Sequence, residues 1–387
     1  MPKPNQALTA VTGYQQALDL QQQLAEQGTD LSELRGNVAQ QLAQLHPKRL
    51  SLRVDAIIDE TPSTRTLRVS AATGSLPNFQ SGQYINLFVT VDGTETARPF
   101  SIASAPEQRS HYDLTIKRMP NGFVSHHMQD QIKVGDTLQS SGPMGAFFYN
   151  PVYHGKTVVF LAGGSGIAPA RSMLNSLIAR EAEIDFHLLY ASQSADDVIF
   201  GQELEATAQA HANIQVHQVI SRPSPEYTGL SGHLSAELMQ RLLPLQADPI
   251  VFICGPTGFN EHCQAQLNSL GIANRRIRVE ANGTPNPPQQ LASWPEGLDP
   301  DREITVSVQG RGQFKAKIGE PLLNSLERNG YQAENACRSG ECSLCRVKLL
   351  SGDVFNPPQA KLRKSDRQFG WIHSCVAFPT EDIEILL

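Results

Sequence analysis

Four of the chain's cysteines are spaced as metal ligands near its carboxyl end. Cys337, Cys342 and Cys345 form a C-x4-C-x2-C loop, and Cys375 follows well downstream. Thiolates this close together must wrap around a small inorganic centre, and Gly340 lets the backbone approach it. The spacing is typical of a plant-type [2Fe-2S] cluster whose fourth ligand comes from elsewhere in the fold, so we predict that Cys375 supplies it. Sulfur-bound zinc is the alternative, although structural zinc sites usually use two separated cysteine pairs.

Two short motifs upstream combine groups that bind phosphate. Arg98-Pro99-Phe100-Ser101 offers a planar cation, an aromatic face and a hydroxyl. Gly122 and Ser125 open a predicted short helix, whose free backbone N–H groups and positive dipole end attract anions. Each motif alone is weak, but their order and separation make them informative together.

A third motif joins a buried strand to a helix. The apolar run 157–162 is typical of a parallel sheet and leads into a glycine-rich turn. The residues of this turn are Gly163, Gly164, Ser165 and Gly166. A strand, a glycine-rich turn and a helix start together predict a dinucleotide pyrophosphate site. A later strand ends in Cys254-Gly255-Pro256, at the sheet edge where open α/β sheets place their ligands.

Composition excludes several classes of function. The chain has 387 residues, 40% hydrophobic and 18% charged, with a net charge of −6, which predicts a globular protein of two or three domains. Without a basic run, nucleic-acid binding is not expected. The chain has neither a signal-peptide core nor an apolar stretch of roughly 18 residues. Together with cysteines that suit a reducing compartment, this predicts a cytoplasmic protein without a membrane span.

The elements that must position these motifs fall into five predicted segments. Residues 1–48 form a helical extension of two helices broken near Gly28, either packed on the body or docking a partner. Residues 49–152 form a small antiparallel β-barrel that carries both phosphate-binding motifs, and 153–282 a doubly wound parallel α/β nucleotide domain. A Pro-rich linker, 283–301, leads to a β-grasp domain at 302–387. The predicted barrel strands are 51–58, 64–70, 84–91, 100–103, 112–117 and 137–141.

Taken in order, these motifs resemble the ferredoxin-NADP reductase superfamily, in those members that carry a fused C-terminal plant-type ferredoxin domain, such as reductase components of oxygenases. The resemblance covers about residues 50–387. It implies that Arg98 contacts the flavin phosphates, that Phe100 lies against the flavin, and that Ser101 lies near the reactive flavin nitrogen. Phe100 stands where the family usually has Tyr, so stacking survives and a hydroxyl contact is lost.

The same resemblance implies roles for the remaining motifs. Gly122 and Ser125 would hold the flavin phosphate, and the turn 163–166 would cradle NADH or NADPH. Cys254, with Gly255 and Pro256, would border the hydride-transfer site. FAD is expected, with FMN possible.

The three cofactors together predict a converter of electron pairs into single electrons, because a flavin exchanges either whereas a cluster takes one at a time. The expected function is an NAD(P)H-dependent flavin/iron-sulfur reductase that serves a protein acceptor such as an oxygenase, hydroxylase or desaturase. A stand-alone oxidase or diaphorase and a cluster-dependent redox sensor are the alternatives. The sequence does not choose between NADH and NADPH.

Overall fold

The computed structural model describes residues 13–27, 49–120, 122–281, 283, 288–291, 293–358 and 360–387. The chain divides into two compact units, Met1–Lys48 and Arg49–Leu387. The described part of the first unit is one helix, α1 (Tyr14–Gln27). The predicted break near Gly28 and the second predicted helix lie outside the described residues.

The second unit begins with an antiparallel barrel. Its elements are β1 (Leu50–Thr61), β2 (Thr64–Ala71), β3 (Tyr84–Val91), β4 (Thr94–Ser101), β5 (Tyr112–Lys117), α2 (Phe123–Asp130) and β6 (Thr137–Ser140). The strand order is β4-β3-β6-β1-β2-β5, and a bridge between Ile102 and Leu114 joins the two ends. Leu52, Ile85 and Leu114 are fully buried inside it, because alternate side chains of each strand point inward. The predicted barrel is confirmed.

The fourth predicted strand is wrong at its start. We expected it at 100–103, but β4 begins at Thr94 and pairs with β3 along its whole length, from Val91↔Thr94 to Tyr84↔Ser101. Asp92 and Gly93 both have positive φ angles, which a two-residue hairpin turn requires. This Asp-Gly signal is readable from the sequence, and Pro99 is tolerated because β4 is an edge of the sheet.

A parallel sheet with helices follows. Its elements are α3 (Pro151–His154), β7 (Thr157–Gly163), α4 (Ile167–Ala179), β8 (Asp185–Ser192), α5 (Gly201–Ala210), β9 (Ile214–Ile220), β10 (Leu230–Ser231), α6 (Ala236–Leu242), β11 (Ile250–Gly255), α7 (Thr257–Ser269) and β12 (Ile277–Ala281). The order is β10-β9-β8-β7-β11-β12, and every pairing is parallel. The central strand β7 is buried on both faces, since alternate residues belong to two separate cores. This confirms the predicted α/β domain.

Helix α4 ties the parallel sheet to the barrel. Arg171 forms ion pairs with Asp113 of β5 and Glu203 of α5, and Ser172 donates a hydrogen bond of 2.7 Å to the carbonyl of Ser104. Both side chains lie on the helix that begins directly after the glycine-rich turn. The turn is therefore held at a defined position against the barrel.

The carboxyl-terminal domain is a mixed sheet with two short helices. Its elements are β13 (Glu303–Val308), β14 (Gly312–Lys317), α8 (Leu322–Arg328), β15 (Arg346–Ser351), β16 (Val354–Phe355), α9 (Lys364–Gln368), β17 (Trp371–His373), β18 (Phe378–Pro379) and β19 (Ile383–Leu386). The main sheet has the order β14-β13-β19-β15-β17, with β13 and β19 parallel. This arrangement fits the predicted β-grasp domain.

Among the residues that the structure describes, none of the helices has the length and apolar character needed to cross a bilayer.

Candidate functional site

The guanidinium of Arg98 is embedded in protein at the barrel edge. It donates hydrogen bonds to the Thr96 hydroxyl at 2.6 Å and to the Ala97 carbonyl at 2.8 Å. Burial, with the neighbouring Arg338 cation, lowers the pKa of Arg98. No carboxylate in the described part of the chain forms an ion pair with it. Arg98 is partly buried, and the nearby Glu327 offsets part of its charge. Its planar guanidinium also suits an anion, so this position fits a flavin phosphate.

Phe100, Gly122 and Ser125 have well-defined local contacts. Phe100 is partly buried and packs against the barrel core. The Ser125 hydroxyl accepts a hydrogen bond from Met119 N at 3.0 Å, and a Cβ on Gly122 would lie 2.2 Å from that oxygen. Both residues therefore shape the tight start of α2. The described hydrogen bonds do not join them to Arg98.

The glycine-rich turn is packed against the end of β11. A Cβ on Gly166 would lie 2.0 Å from the Cys254 carbonyl oxygen, and one on Gly163 would lie 2.9 Å from the Phe259 ring. Gly164 has a φ of +54°, a conformation that glycine adopts without strain. The turn therefore needs glycines for its own packing as well as for a ligand, while Ser165 stays partly exposed.

Lys117, which sequence reasoning missed, lies beside this turn. A Cβ on Gly164 would lie 3.9 Å from the Lys117 ammonium nitrogen, which also pairs with Asp197. Lysine at the end of β5 therefore adds a positive charge beside the predicted pyrophosphate site. No sequence motif marks it, because strand β5 reaches the turn only through the packing of two domains.

Glu280 is the second residue that the sequence analysis missed, and it connects Ser101 with Cys254. On the adjacent strands β11 and β12, Cys254 pairs directly with Glu280, and the Glu280 carboxyl hydrogen-bonds the Ser101 side chain. Asn260 Nδ2 donates to the Glu280 carbonyl at 2.9 Å, which fixes the backbone there. Glu280 is thus linked to both residues predicted to be catalytic, to Ser101 through its carboxyl group and to Cys254 through strand register.

The environment of Glu280 keeps its carboxyl group protonated near neutral pH. Burial raises the pKa of Glu280 to about 8, with further contributions from the nearby Glu341 and Cys337 of the cysteine loop. Tyr84 lies in the same region, where burial and the charges of the cysteine loop raise the pKa of its hydroxyl. The barrel edge, the nucleotide sheet and the cysteine loop therefore meet at this carboxyl group.

The cysteine loop is organised around the Cys337 sulfur. Three backbone N–H groups, those of Ser339, Glu341 and Cys342, donate to it at 3.3 to 3.4 Å. Hydrogen bonding from the Cys342 thiol and from these groups lowers the pKa of Cys337 well below its usual value. Gly340, with a φ of +79°, could not carry a Cβ, because that atom would lie 2.8 Å from Val376. The loop is therefore built to hold a thiolate.

The four predicted ligands form two pairs. Cys337 hydrogen-bonds Cys342, and the sulfurs of Cys345 and Cys375 are 3.2 Å apart. No disulfide joins any of the six cysteines, all of which the structure describes. Among the described residues, no group of three or more His, Cys, Asp or Glu side chains is arranged to hold a single metal ion. Two pairs suit a centre with two irons, each bound by two sulfurs, better than one tetrahedral zinc.

A buried network joins the cysteine loop to the barrel. Arg338, only 5% exposed at its side chain, forms an ion pair with Glu327 of α8 and donates to the Thr96 hydroxyl at 3.1 Å. Thr96 in turn donates to Glu327 at 2.8 Å and accepts from Arg98. Arg338 directly follows Cys337, the first cysteine of the loop. Cys337 is therefore next to a network that includes Arg98, the predicted flavin-phosphate ligand.

Three family models match consecutive parts of the chain. They are an oxidoreductase FAD-binding domain over residues 51–149, an oxidoreductase NAD-binding domain over 160–265, and a 2Fe-2S iron-sulfur cluster binding domain over 306–380. Their order and positions correspond to the barrel, the parallel sheet and the mixed sheet. The cofactors expected for the three domains agree with these models.

Known proteins align with between about three fifths and nine tenths of the chain. The glycine betaine monooxygenase reductase subunit of Pseudomonas aeruginosa is 29% identical over 86% of this chain and 94% of its own length. Ferredoxin–NADP reductase B of Sorangium cellulosum is 33% identical over 59% of this chain and 95% of its own length. The phthalate dioxygenase reductase structure, at 21% identity, shares the fold with a TM-score of 0.66 over 88% of this chain and 97% of that one.

The chain therefore belongs to the ferredoxin-NADP reductase superfamily, as a member in which a 2Fe-2S domain follows the FAD-binding and NAD-binding domains.

Proposed function

We propose that this protein is the NAD(P)H-dependent reductase component of an oxygenase system, which delivers electrons singly to a partner redox protein. The observation that carries the proposal is the meeting of three domains at Glu280. Its carboxyl group bonds Ser101 of the barrel and lies in the field of the cysteine loop, and its backbone pairs in register with Cys254 on the neighbouring strand. A short path between the three predicted cofactor sites is what a reductase of this kind requires.

Each predicted site has residues that suit its cofactor. The nicotinamide supplies an electron pair, the flavin exchanges electrons in pairs or singly, and the cluster takes one at a time. Arg98 would neutralise the flavin phosphate, with Phe100, Gly122 and Ser125 shaping the seat. The turn 163–166 and Lys117 would hold the dinucleotide phosphates, bordered by Gly255 and Pro256. The cysteine pairs would each bind one iron.

Ser101, Cys254 and Glu280 would orient the reacting rings. The neutral Glu280 carboxyl group can donate a hydrogen bond where an ionised carboxylate could only accept one. Cys254 is 1% exposed and helps to exclude water from the edge of the sheet.

The domain boundaries that we propose are 1–48, 49–152, 153–282, 283–301 and 302–387. An oxygenase acceptor is supported by the name of the full-length relative, a monooxygenase reductase subunit. A cytoplasmic location is supported by cysteines that are not joined in disulfides, because oxidising compartments tend to oxidise them.

A Cys342→Ser variant tests the proposed electron path. We expect NAD(P)H-driven reduction of cytochrome c to collapse, because it depends on the cluster, while reduction of ferricyanide persists, because ferricyanide draws electrons directly from the flavin. If cytochrome c reduction survives in a variant shown to lack iron, the protein is a stand-alone diaphorase and the cluster is not on the path.

A further inference from the structure

The segment that precedes β17 borders the cysteine loop. Lys361 N donates to the Gly340 carbonyl at 3.0 Å, and the Lys361 ammonium pairs with Glu341 at 2.6 Å. Further along, Asp366 of α9 pairs with Arg346 at 3.0 Å, directly after Cys345. The segment 361–369 therefore lies against the loop that would hold the cluster.

This segment is basic and faces solvent, which corrects the expectation that the chain has no basic run. Its exposed cations are Lys361, Arg363, Lys364 and Arg367. Its acidic residue, Asp366, is buried and is already paired with Arg346. Arg363, Lys364 and Arg367 form no ion pair with any carboxylate that the structure describes. Their charge is therefore not neutralised locally, in a chain whose net charge is −6.

Two exposed apolar side chains accompany these cations. Leu344, between two cysteines of the loop, is 46% exposed, and Phe369, at the end of α9, is 64% exposed. Leu344 lies two residues before Arg346, and Phe369 lies three residues after Asp366. An ordinary solvated charge run does not need large apolar side chains, whereas apolar residues with a charged rim are typical of a protein interface.

We propose that this basic surface (Leu344, Lys361, Arg363, Lys364, Arg367 and Phe369) is the docking site of an acidic protein electron acceptor. The proposal rests on the proposed reductase function and names the charge of its partner. An acidic acceptor is repelled by the net negative charge of the chain as a whole and attracted at this surface. Electrostatic steering of this kind speeds encounter and selects orientation, and here it would bring the acceptor to the cysteine loop.

A triple charge reversal, Arg363→Glu with Lys364→Glu and Arg367→Glu, tests the surface. The probe is the soluble domain of cytochrome b5, an acidic haem protein, reduced by the holoprotein with NAD(P)H. We expect the wild-type rate to fall as salt rises, and the variant to be slower by about tenfold or more at low ionic strength with little salt dependence left. Cytochrome c, which is basic, should be reduced at least as fast by the variant as by the wild type.

The matched control reverses three exposed cations at the far edge of the same sheet, Arg311→Glu, Lys315→Glu and Lys317→Glu on and before β14. It should reduce cytochrome b5 at close to the wild-type rate. If the two triple variants slow cytochrome b5 reduction equally, or neither slows it, the basic surface is not the docking site. Two measurements on the wild type separate failure of the docking proposal from failure of the proposed reductase function. If the wild-type protein does not reduce ferricyanide or does not contain iron, the reductase function itself is wrong.

Discussion

Glu280 shows how one residue can connect domains that are distant in sequence. It lies on the last strand of the nucleotide sheet, bonds Ser101 of the barrel, and has its pKa raised by burial to about 8. A neutral carboxyl group at this position can donate a hydrogen bond at physiological pH. We expect its charge state to affect both stability and reactivity.

Glu280→Gln should change how stability depends on pH. The folded state keeps the Glu280 proton up to about pH 8, whereas the unfolded state loses it near pH 4.5. The wild type therefore loses stability as pH rises through this window, by about 1.4 kcal/mol for each unit of pKa difference, and the Gln variant lacks this loss. The melting temperature of the Gln variant minus that of the wild type should increase from pH 4.5 to 8 and then stay constant.

The control for this experiment is Glu205→Gln, at an exposed position of α5. Its melting temperature should follow that of the wild type at every pH. A Glu280→Gln gap that is the same at pH 5 and pH 8 would show that the carboxyl group is already ionised in the folded protein.

Cys375→Ser should abolish the cluster while leaving the flavin in place, since it breaks the Cys345–Cys375 pair. The readouts are iron and labile sulfide per chain, beside the flavin absorbance. Cys263→Ala, at a fully buried cysteine of the nucleotide domain, is the matched control and should retain iron. Full iron content in Cys375→Ser would exclude Cys375 as a ligand.

At the residue scale, the sequence predicts what lies within one short segment. The spacing of Cys337, Cys342 and Cys345 is local, so their convergence could be anticipated. Glu280 and Lys117 could not be found in this way, because strand register places Glu280 beside Cys254 and domain packing brings Lys117 to the glycine turn.

At the scale of elements, the glycine-rich turn is limited by its contact with β11. Gly166→Ala would place a Cβ 2.0 Å from the Cys254 carbonyl oxygen, so the turn must shift. We expect a loss of about 1 to 3 kcal/mol in the free energy of unfolding and a raised KM for NAD(P)H. The control is Gly258→Ala, where a Cβ meets nothing within 4 Å, and it should be neutral or stabilising. If both variants change the free energy of unfolding equally, the close contact of Gly166 with β11 does not limit the turn.

Helix α8 provides a test of the network between the cysteine loop and the barrel. Glu327→Gln leaves Arg338 without its buried ion pair, which should cost about 3 kcal/mol or more and slow flavin-to-cluster transfer in stopped-flow measurements. Glu320→Gln breaks the Arg328 pair, whose arginine is 52% exposed, and should cost about 1 kcal/mol or less. Unchanged transfer in Glu327→Gln would show that the network does not hold the loop in place.

Most elements could be predicted because their patterns are local. The apolar run of β7 and the alternation of β13 identify buried strands directly. β4 starts six residues before the predicted strand because the Asp92-Gly93 turn, and not the motif 98–101, sets the start of the hairpin. The Thr96–Glu327–Arg338 network was not predictable, since its members come from two domains.

At the scale of the molecule, the barrel, the parallel sheet and the mixed sheet form one compact unit, Arg49–Leu387. The resemblance anticipated these domains and their order, because each carries its own motif. It did not indicate how the domains contact one another, and those contacts join the barrel to the cysteine loop through Thr96, Glu327 and Arg338.

The most direct test of the reductase assignment is an anaerobic titration of the purified holoprotein with NADH or NADPH, followed by visible absorbance and low-temperature electron paramagnetic resonance. We predict that the flavin absorbance bleaches and that the signal of a reduced [2Fe-2S] cluster appears, approaching one spin per chain. A flavin that bleaches while the cluster stays oxidised would contradict the proposed path from nicotinamide to cluster.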